Sequence, residues 1–173
     1  MSLKPFDSLL EPDPRFADLY VIEQDVARRM TLRDHHAGLI DVGLKGAAPI
    51  EVQKAFDRAR SVMLYAFFDY DLFVVREIQA FGACELALKF RLNGHGGDAR
   101  GTLRNLVDRA RKTGALPPMV EGGMLMADPV EALIALRNGL SHGSVEIHSP
   151  SMALKILAAC ADWIYFLFPS LPE

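Results

Sequence analysis

One short segment of the chain combines side chains that are suited to phosphate chemistry. It runs from Leu136 to Gly143 and contains an arginine, an amide and a histidine at Arg137, Asn138 and His142. Arginine offers a planar fork of donors to a phosphate. Histidine exchanges a proton near neutral pH because its unperturbed pKa is about 6.5. Arg137 and His142 are therefore the first candidates for a functional site.

The spacing of these two residues sets a condition on the local structure. Positions five apart on a straight helix point about 140° apart around its axis. We therefore expect the helix that carries Arg137 to end before His142. Gly139 weakens the last turn and Gly143 is expected just beyond the helix end, which lets His142 turn toward Arg137.

Hydrophobic periodicity and helix-stop signals predict the elements that position this segment. The motif helix is expected from Pro129 to about Ser141, and Ser149-Pro150 predicts the cap and first turn of a last helix that Pro169 stops. Earlier helices are expected from about Ile50 to Phe68, from Leu72 to about Leu92 with Asp71 as cap, and from Gly101 to Thr113. The Leu72 helix is apolar nearly all round, so it should lie centrally.

The N-terminal third has weaker patterns. The run from Leu19 to Ile22 is typical of a strand but has no evident partner, and the residues from Glu23 to about His36 have a moderately helical pattern. We place a boundary between an N-terminal extension, 1–48, and a helical domain, 49–173. The predicted fold is all-α, an up-and-down bundle of about five or six helices.

Composition excludes several functional classes. The 19 basic and 22 acidic residues give a net charge of -3, so no global field would hold the protein on nucleic acid or an acidic membrane. Cys84 and Cys160 lie in apolar segments without a spaced framework, which indicates reduced thiols. The N-terminus lacks the pattern of a signal peptide, and the last helix is interrupted by charges. We expect a cytoplasmic protein without a membrane span.

The segment from Arg137 to His142 resembles the R-x4-6-H motif of the HEPN superfamily, including a polar residue, Asn138, directly after the arginine. The run from Glu85 to Lys89 resembles the glutamate and lysine pattern of an earlier family helix. By architecture the resemblance covers about residues 49 to 173. It implies a HEPN-like helical bundle that forms a homodimer, with the motifs of the two copies facing each other.

The resemblance implies a metal-independent endoribonuclease, needing no cofactor, that acts as a toxin or a phage-defence factor. His142 would serve as general base or acid when a ribose 2′-hydroxyl attacks the adjacent phosphate. Arg137 would stabilise the transition-state charge, and Asn138 would orient the imidazole or the phosphate. Ser141 is a further candidate donor. A nucleotidyltransferase-like antitoxin would be the partner of a toxin of this kind.

Two alternatives stand beside this hypothesis. In a purely structural interpretation, Arg137 caps backbone carbonyls or pairs with Glu131 or Glu85. His142 then only occupies a helix C-terminus, where the helix dipole favours a cation. In the other, the domain is a non-catalytic HEPN-like module that binds a partner protein, a nucleotide or RNA.

Weaker signals complete the set. Arg104 lies with Arg100 and Arg111 on one side of a short helix, as a candidate RNA contact or as an ordinary solvated face. Glu77 and Glu85 interrupt an apolar helix, so each needs a cation nearby or its pKa will rise. No spacing of His and Cys predicts a metal site. The aromatic surplus of the last helix is a candidate dimer surface.

Overall fold

The computed structural model describes residues 3–93, 100–119, 128–141 and 147–170. This part of the chain is mostly helical, as predicted, with one small sheet. The helices are α1 Leu32–Ile40, α2 Ile50–Tyr65, α3 Leu72–Asn93, α4 Leu103–Lys112, α5 Pro129–Ser141 and α6 Pro150–Leu167. Two short 3-10 turns, Phe6–Ser8 and Pro14–Asp18, precede them.

Side-chain caps explain where several helices begin. Ser149 accepts a hydrogen bond from the backbone N–H of Met152 at 3.3 Å, which confirms the predicted cap of α6. Thr102 caps α4 in the same way through the N–H of Asn105. The predicted bounds of α4, α5 and α6 agree with the structure to within one or two residues, because these helices carry strong start signals.

Helix α3 is the central element, as its nearly continuous apolar surface predicts. It packs against α2, α4, α5 and α6, and α6 also packs against α1 and α5. Phe73, Ala80, Cys84 and Leu88 of α3 are all at most 1% exposed. Because α3 contacts most of the other helices, two of its charged residues, Arg76 and Glu77, are buried inside the bundle. Glu85 and Lys89 are partly exposed, and Gln79, Arg91 and Asn93 are exposed.

The N-terminal region corrects one prediction. Residues Tyr20–Glu23 form β1 and pair antiparallel with β2, Val26–Arg29, so the helical interpretation of the residues after Glu23 is wrong there. Gln24 and Asp25, between the strands, have φ of 49° and 62°. A two-residue turn with both φ positive fits the twist of a hairpin. The helix α1 begins later, after Thr31, in a capping box with Asp34.

The N-terminal segment also contributes to the main core. Phe16 is 2% exposed and its ring contacts Phe67, Tyr70, Phe73 and His35. The carboxylate of Asp13, at the cap of the second 3-10 turn, accepts the backbone N–H of Tyr70 at 3.1 Å. Residues 3–48 therefore share a hydrophobic core with the helices that follow them.

Helix α6 is the one helix in the described ranges that is long and apolar enough to cross a membrane by length and composition. Half of it is buried inside the fold, and core helices of soluble proteins pass the same test. Tyr165 and Phe166, at its C-terminal end, are 38% and 53% exposed. The aromatic surplus noted in the sequence is therefore divided between the core and the surface.

Candidate functional site

The motif arginine lies on the side of α5 that faces α3. Its Nη2 is 4.0 Å from Oε2 of Glu85, and Oε1 of the same carboxylate is 2.8 Å from Nζ of Lys89. The three side chains are 38%, 28% and 30% exposed for Arg137, Glu85 and Lys89. Glu85 and Lys89 are an i, i+4 pair on one face of α3, so two residues of one helix and one of another form a single surface cluster. We call these three residues the α3–α5 cluster.

The charges of the α3–α5 cluster resemble those of an anion-binding site in which the carboxylate of Glu85 takes the place of the anion. Two cations flank one acid, so the cluster carries a net positive charge. An ion pair at 4.0 Å between partly exposed groups contributes less than about 1 kcal/mol. The contact between Arg137 and Glu85 is therefore weak, and a guanidinium has the planar donor geometry that suits a phosphate.

The structure describes the other motif residues with different completeness. Asn138 is exposed and its Oδ1 accepts a hydrogen bond of 3.4 Å from Nη1 of Arg137. Ser141 is the last residue of α5. His142, Gly143 and the side chain of Ser141 lie outside the part of the chain that the structure describes. The convergence of His142 and Arg137 stays a prediction.

Two arginines of the predicted basic stripe, Arg104 and Arg111, lie on α4 and form a second ion-pair cluster. Arg104 donates to both oxygens of Glu131 at 2.8 and 2.7 Å, and Arg111 lies 2.9 Å from Asp128 and 3.3 Å from Glu131. Glu131 is 2% exposed, and its hydrogen bonds from Arg104 hold its pKa below the usual range. Glu131 is six positions before Arg137 on α5, so this cluster lies about 9 Å from the motif arginine along the helix axis. The guanidinium of Arg104 is 47% exposed and stays a candidate RNA contact at the edge of the site.

A third polar cluster was missed at the level of sequence. Glu77 of α3 is 1% exposed, and its carboxylate accepts hydrogen bonds from Nη2 of Arg76 at 3.1 Å and from Nδ1 of His148 at 2.9 Å. Because Glu77 lies on an apolar helix, the sequence indicates that it needs a cation nearby. The sequence pattern does not identify His148 as that partner. Arg76 directly precedes Glu77, and a helix places adjacent side chains about 100° apart, so helical spacing does not indicate this pair either.

The two cysteines are buried neighbours. Sγ of Cys84 lies 3.6 Å from the backbone oxygen of Cys160, and burial raises the pKa of the Cys84 thiol. Buried, uncharged thiols are poor nucleophiles. They serve as small core residues between α3 and α6, as the sequence predicts. Within the described ranges, no group of three or more His, Cys, Asp or Glu residues is arranged to hold a metal ion.

Comparisons with protein-family models, with curated proteins and with solved structures gave no significant match to this chain. Its function is therefore inferred from its own residues.

Proposed function

We propose that this protein is a HEPN-like, metal-independent endoribonuclease. The observation that carries the proposal is the α3–α5 cluster, although its Arg137–Glu85 pair is also one that the purely structural interpretation predicts. The arginine of the R-x4-6-H segment and the glutamate and lysine of the earlier helix are far apart in sequence, yet they lie together on one solvent-open surface. These are the residues through which the chain resembles the HEPN superfamily.

In this proposal each residue has a defined task. Arg137 leaves Glu85 and binds the scissile phosphate, where it stabilises the added negative charge of the transition state. Asn138 orients the phosphate or the imidazole, and Ser141 is a further donor. His142 exchanges a proton during attack of the ribose 2′-hydroxyl on phosphorus. Lys89 contributes a second positive charge beside the phosphate.

The proposal includes a homodimer. Exposed apolar side chains of α6, namely Met152, Tyr165 and Phe166, are 38% to 53% exposed and offer apolar area for a contact between copies. Sedimentation of the purified chain tests this part separately. A dimer with α6 at its interface should dissociate when Phe166 is replaced by glutamate.

A cleavage assay tests the nuclease proposal. Purified protein is incubated with single-stranded RNA in chelator, alongside His142→Ala and Arg137→Ala. The matched control is His36→Ala, which removes an exposed histidine of α1. We expect cleavage by the wild type and by the control, and a loss of about 100-fold or more in the two motif variants.

The same assay separates the alternatives. A wild type that binds RNA, a nucleotide or a partner protein without cutting, and loses that binding in Arg137→Ala, is a non-catalytic module. Motif variants that change neither cleavage nor binding leave the bundle with a structural role for Arg137 and reject the proposal.

A further inference from the structure

The surface between α1 and α2 is concave and largely apolar. Two adjoining cavities of about 470 and 350 Å³ lie there, and both are lined by His36 of α1 and Leu64 of α2. In the larger cavity, Leu64 and Phe68 are partly buried side chains that pack against the hydrophobic core. Leu32 and Tyr65 line the same cavity and are 38% and 59% exposed. We call this surface the α1–α2 groove.

Hydrogen bonds fix the two helices that form the α1–α2 groove. In the first half of α1, Nε2 of His35 donates to the backbone carbonyl of Met63 at 2.7 Å. At the C-terminal end of α1, the backbone carbonyl of Leu39 accepts a hydrogen bond of 3.2 Å from Nη2 of Arg60. The walls of the groove are therefore already in place. A preformed site binds a partner without the cost of ordering its own side chains and backbone.

The charged side chains of the α1–α2 groove are mostly basic. Arg33 and Arg60 line it together with His36, and Asp57 is the one acidic residue among the described residues of its lining. Asp57 already pairs with Arg60 at 3.2 Å. Arg33 and His36 form no hydrogen bond or ion pair with any residue in the described ranges. In a chain with a net charge of -3, this local excess of basic groups favours an acidic partner.

The length of the α1–α2 groove suits a short helix. Leu32 lines the larger cavity and Ile40 the smaller one, and these residues are eight positions apart on α1, which is about 12 Å along its axis. Apolar side chains at positions i, i+3 or i+4 and i+7 of a bound helix span about 10 Å and dock into grooves of this kind. A strand of RNA is instead bound by a basic track with aromatic rings for its bases. The apolar lining is mainly aliphatic, at Leu32, Leu39, Ile40 and Leu64, which favours a helix over RNA.

We propose that the α1–α2 groove binds an amphipathic helix of a partner protein, one that has acidic side chains beside its apolar stripe. Aliphatic side chains of that helix fill the larger cavity against Leu64 and Phe68. Its carboxylates lie beside Arg33 and Arg60. The inference is independent of the proposed nuclease activity, because the groove includes no residue of the α3–α5 cluster.

A designed peptide tests this proposal with the full chain. The probe is a fluorescent helix of about 18 residues, with leucines at positions i, i+4 and i+7 and glutamates on both sides of that stripe. A matched probe has lysine in place of each glutamate, and a third has the first sequence scrambled. Fluorescence anisotropy measures the affinity of each for the wild type and for Arg33→Glu. The control is Arg58→Glu, which makes the same charge change at an exposed residue of α2 outside the groove lining.

We expect the wild type to bind the glutamate peptide at least about 10-fold more tightly than the lysine peptide. Arg33→Glu should remove or reverse this preference, because its carboxylate repels glutamate and attracts lysine. Arg58→Glu should keep the wild-type affinities within about 2-fold. Amide NMR shifts caused by the glutamate peptide should lie in α1 and α2. Circular dichroism should show both variants folded as the wild type.

Four outcomes would overturn the proposal. The first is a wild type that binds the glutamate peptide no better than the scrambled one, and the second is NMR shifts confined to the exposed side of α6. In the third, Arg33→Glu weakens binding of single-stranded RNA but not of the glutamate peptide, which would assign the groove to RNA. In the fourth, Arg33→Glu dissociates a wild-type dimer in sedimentation, which would assign the groove to a second copy of this chain.

Discussion

Replacement of Glu77 by glutamine should destabilise the fold far more than its similar size suggests. Desolvation lowers the pKa of Arg76 to about 10, even with the Glu77 carboxylate beside it. A shift from the ordinary 12.5 to about 10 corresponds to a penalty of about 3 kcal/mol on the charged guanidinium. Glu77→Gln removes the charge that partly offsets this penalty. Breaking one side of a buried ion pair costs about 3–5 kcal/mol.

Urea and thermal unfolding at pH 7 measure this loss. We expect the free energy of unfolding to fall by about 4 kcal/mol and the Tm by about 10 °C for a chain of this length. The matched control is Glu85→Gln on the same helix. Its carboxylate is 28% exposed and its ion pairs lie at the surface, so its cost should stay below about 1 kcal/mol.

A double variant checks the cause. Arg76→Met combined with Glu77→Gln removes the uncompensated charge, so it should recover at least half of the lost free energy. Glu77→Gln within about 1 kcal/mol of the wild type would contradict the electrostatic reasoning. A double variant no more stable than Glu77→Gln would contradict it as well, since it would assign the loss to packing.

Four further predictions concern stability. Burial lowers the pKa of His35, whose Nε2 donates to the Met63 carbonyl at 2.7 Å. The Tm should therefore fall as the pH drops below about 6.5, because the unfolded chain binds a proton there more readily than the folded one. This pH dependence of Tm should weaken in His35→Gln. Glu131→Ala should cost about 3 kcal/mol in urea unfolding, because it leaves two arginines without their shared acceptor. Gly82→Ala should raise stability by up to about 1 kcal/mol, since a Cβ there meets nothing within 4 Å. Gly46→Ala should lower it, because φ is +87° and the Cβ would meet the Phe168 carbonyl.

Specific outcomes would contradict the first three of these predictions. An unchanged pH dependence of Tm in His35→Gln would point to another titrating group, and His36→Gln is the exposed control for it. A loss below about 1 kcal/mol in Glu131→Ala, no larger than in the exposed control Asp108→Ala, would make the α4–α5 ion pairs unimportant. Destabilisation by Gly82→Ala would show that the helix surface there is not open.

The helical part of the fold could be predicted because its signals are local. Ser149-Pro150 sets the start of α6, and the dense apolar surface of α3 gives its central position. The hairpin was missed because its turn, Gln24-Asp25, lacks the glycine or asparagine that usually marks two positive φ angles. Without that signal β1 had no visible partner.

The polar clusters were predictable only in part. The sequence indicates that Glu77 and Glu85 each need a cation, and it names Glu85 as one candidate partner of Arg137. It does not identify His148 as the partner of Glu77, because that contact joins α3 to residues 71 positions away. Pairings between distant segments depend on how the helices pack, which periodicity does not specify.

The most direct test of the nuclease proposal uses a DNA oligonucleotide that contains a single ribonucleotide. Because the proposed attacking group is a 2′-hydroxyl, the wild type in chelator should cut only after that ribonucleotide, and mass spectrometry should find a cyclic phosphate on the fragment. Cleavage at deoxynucleotides, a linear phosphate as the first product, or no cleavage by a folded dimer would contradict the account.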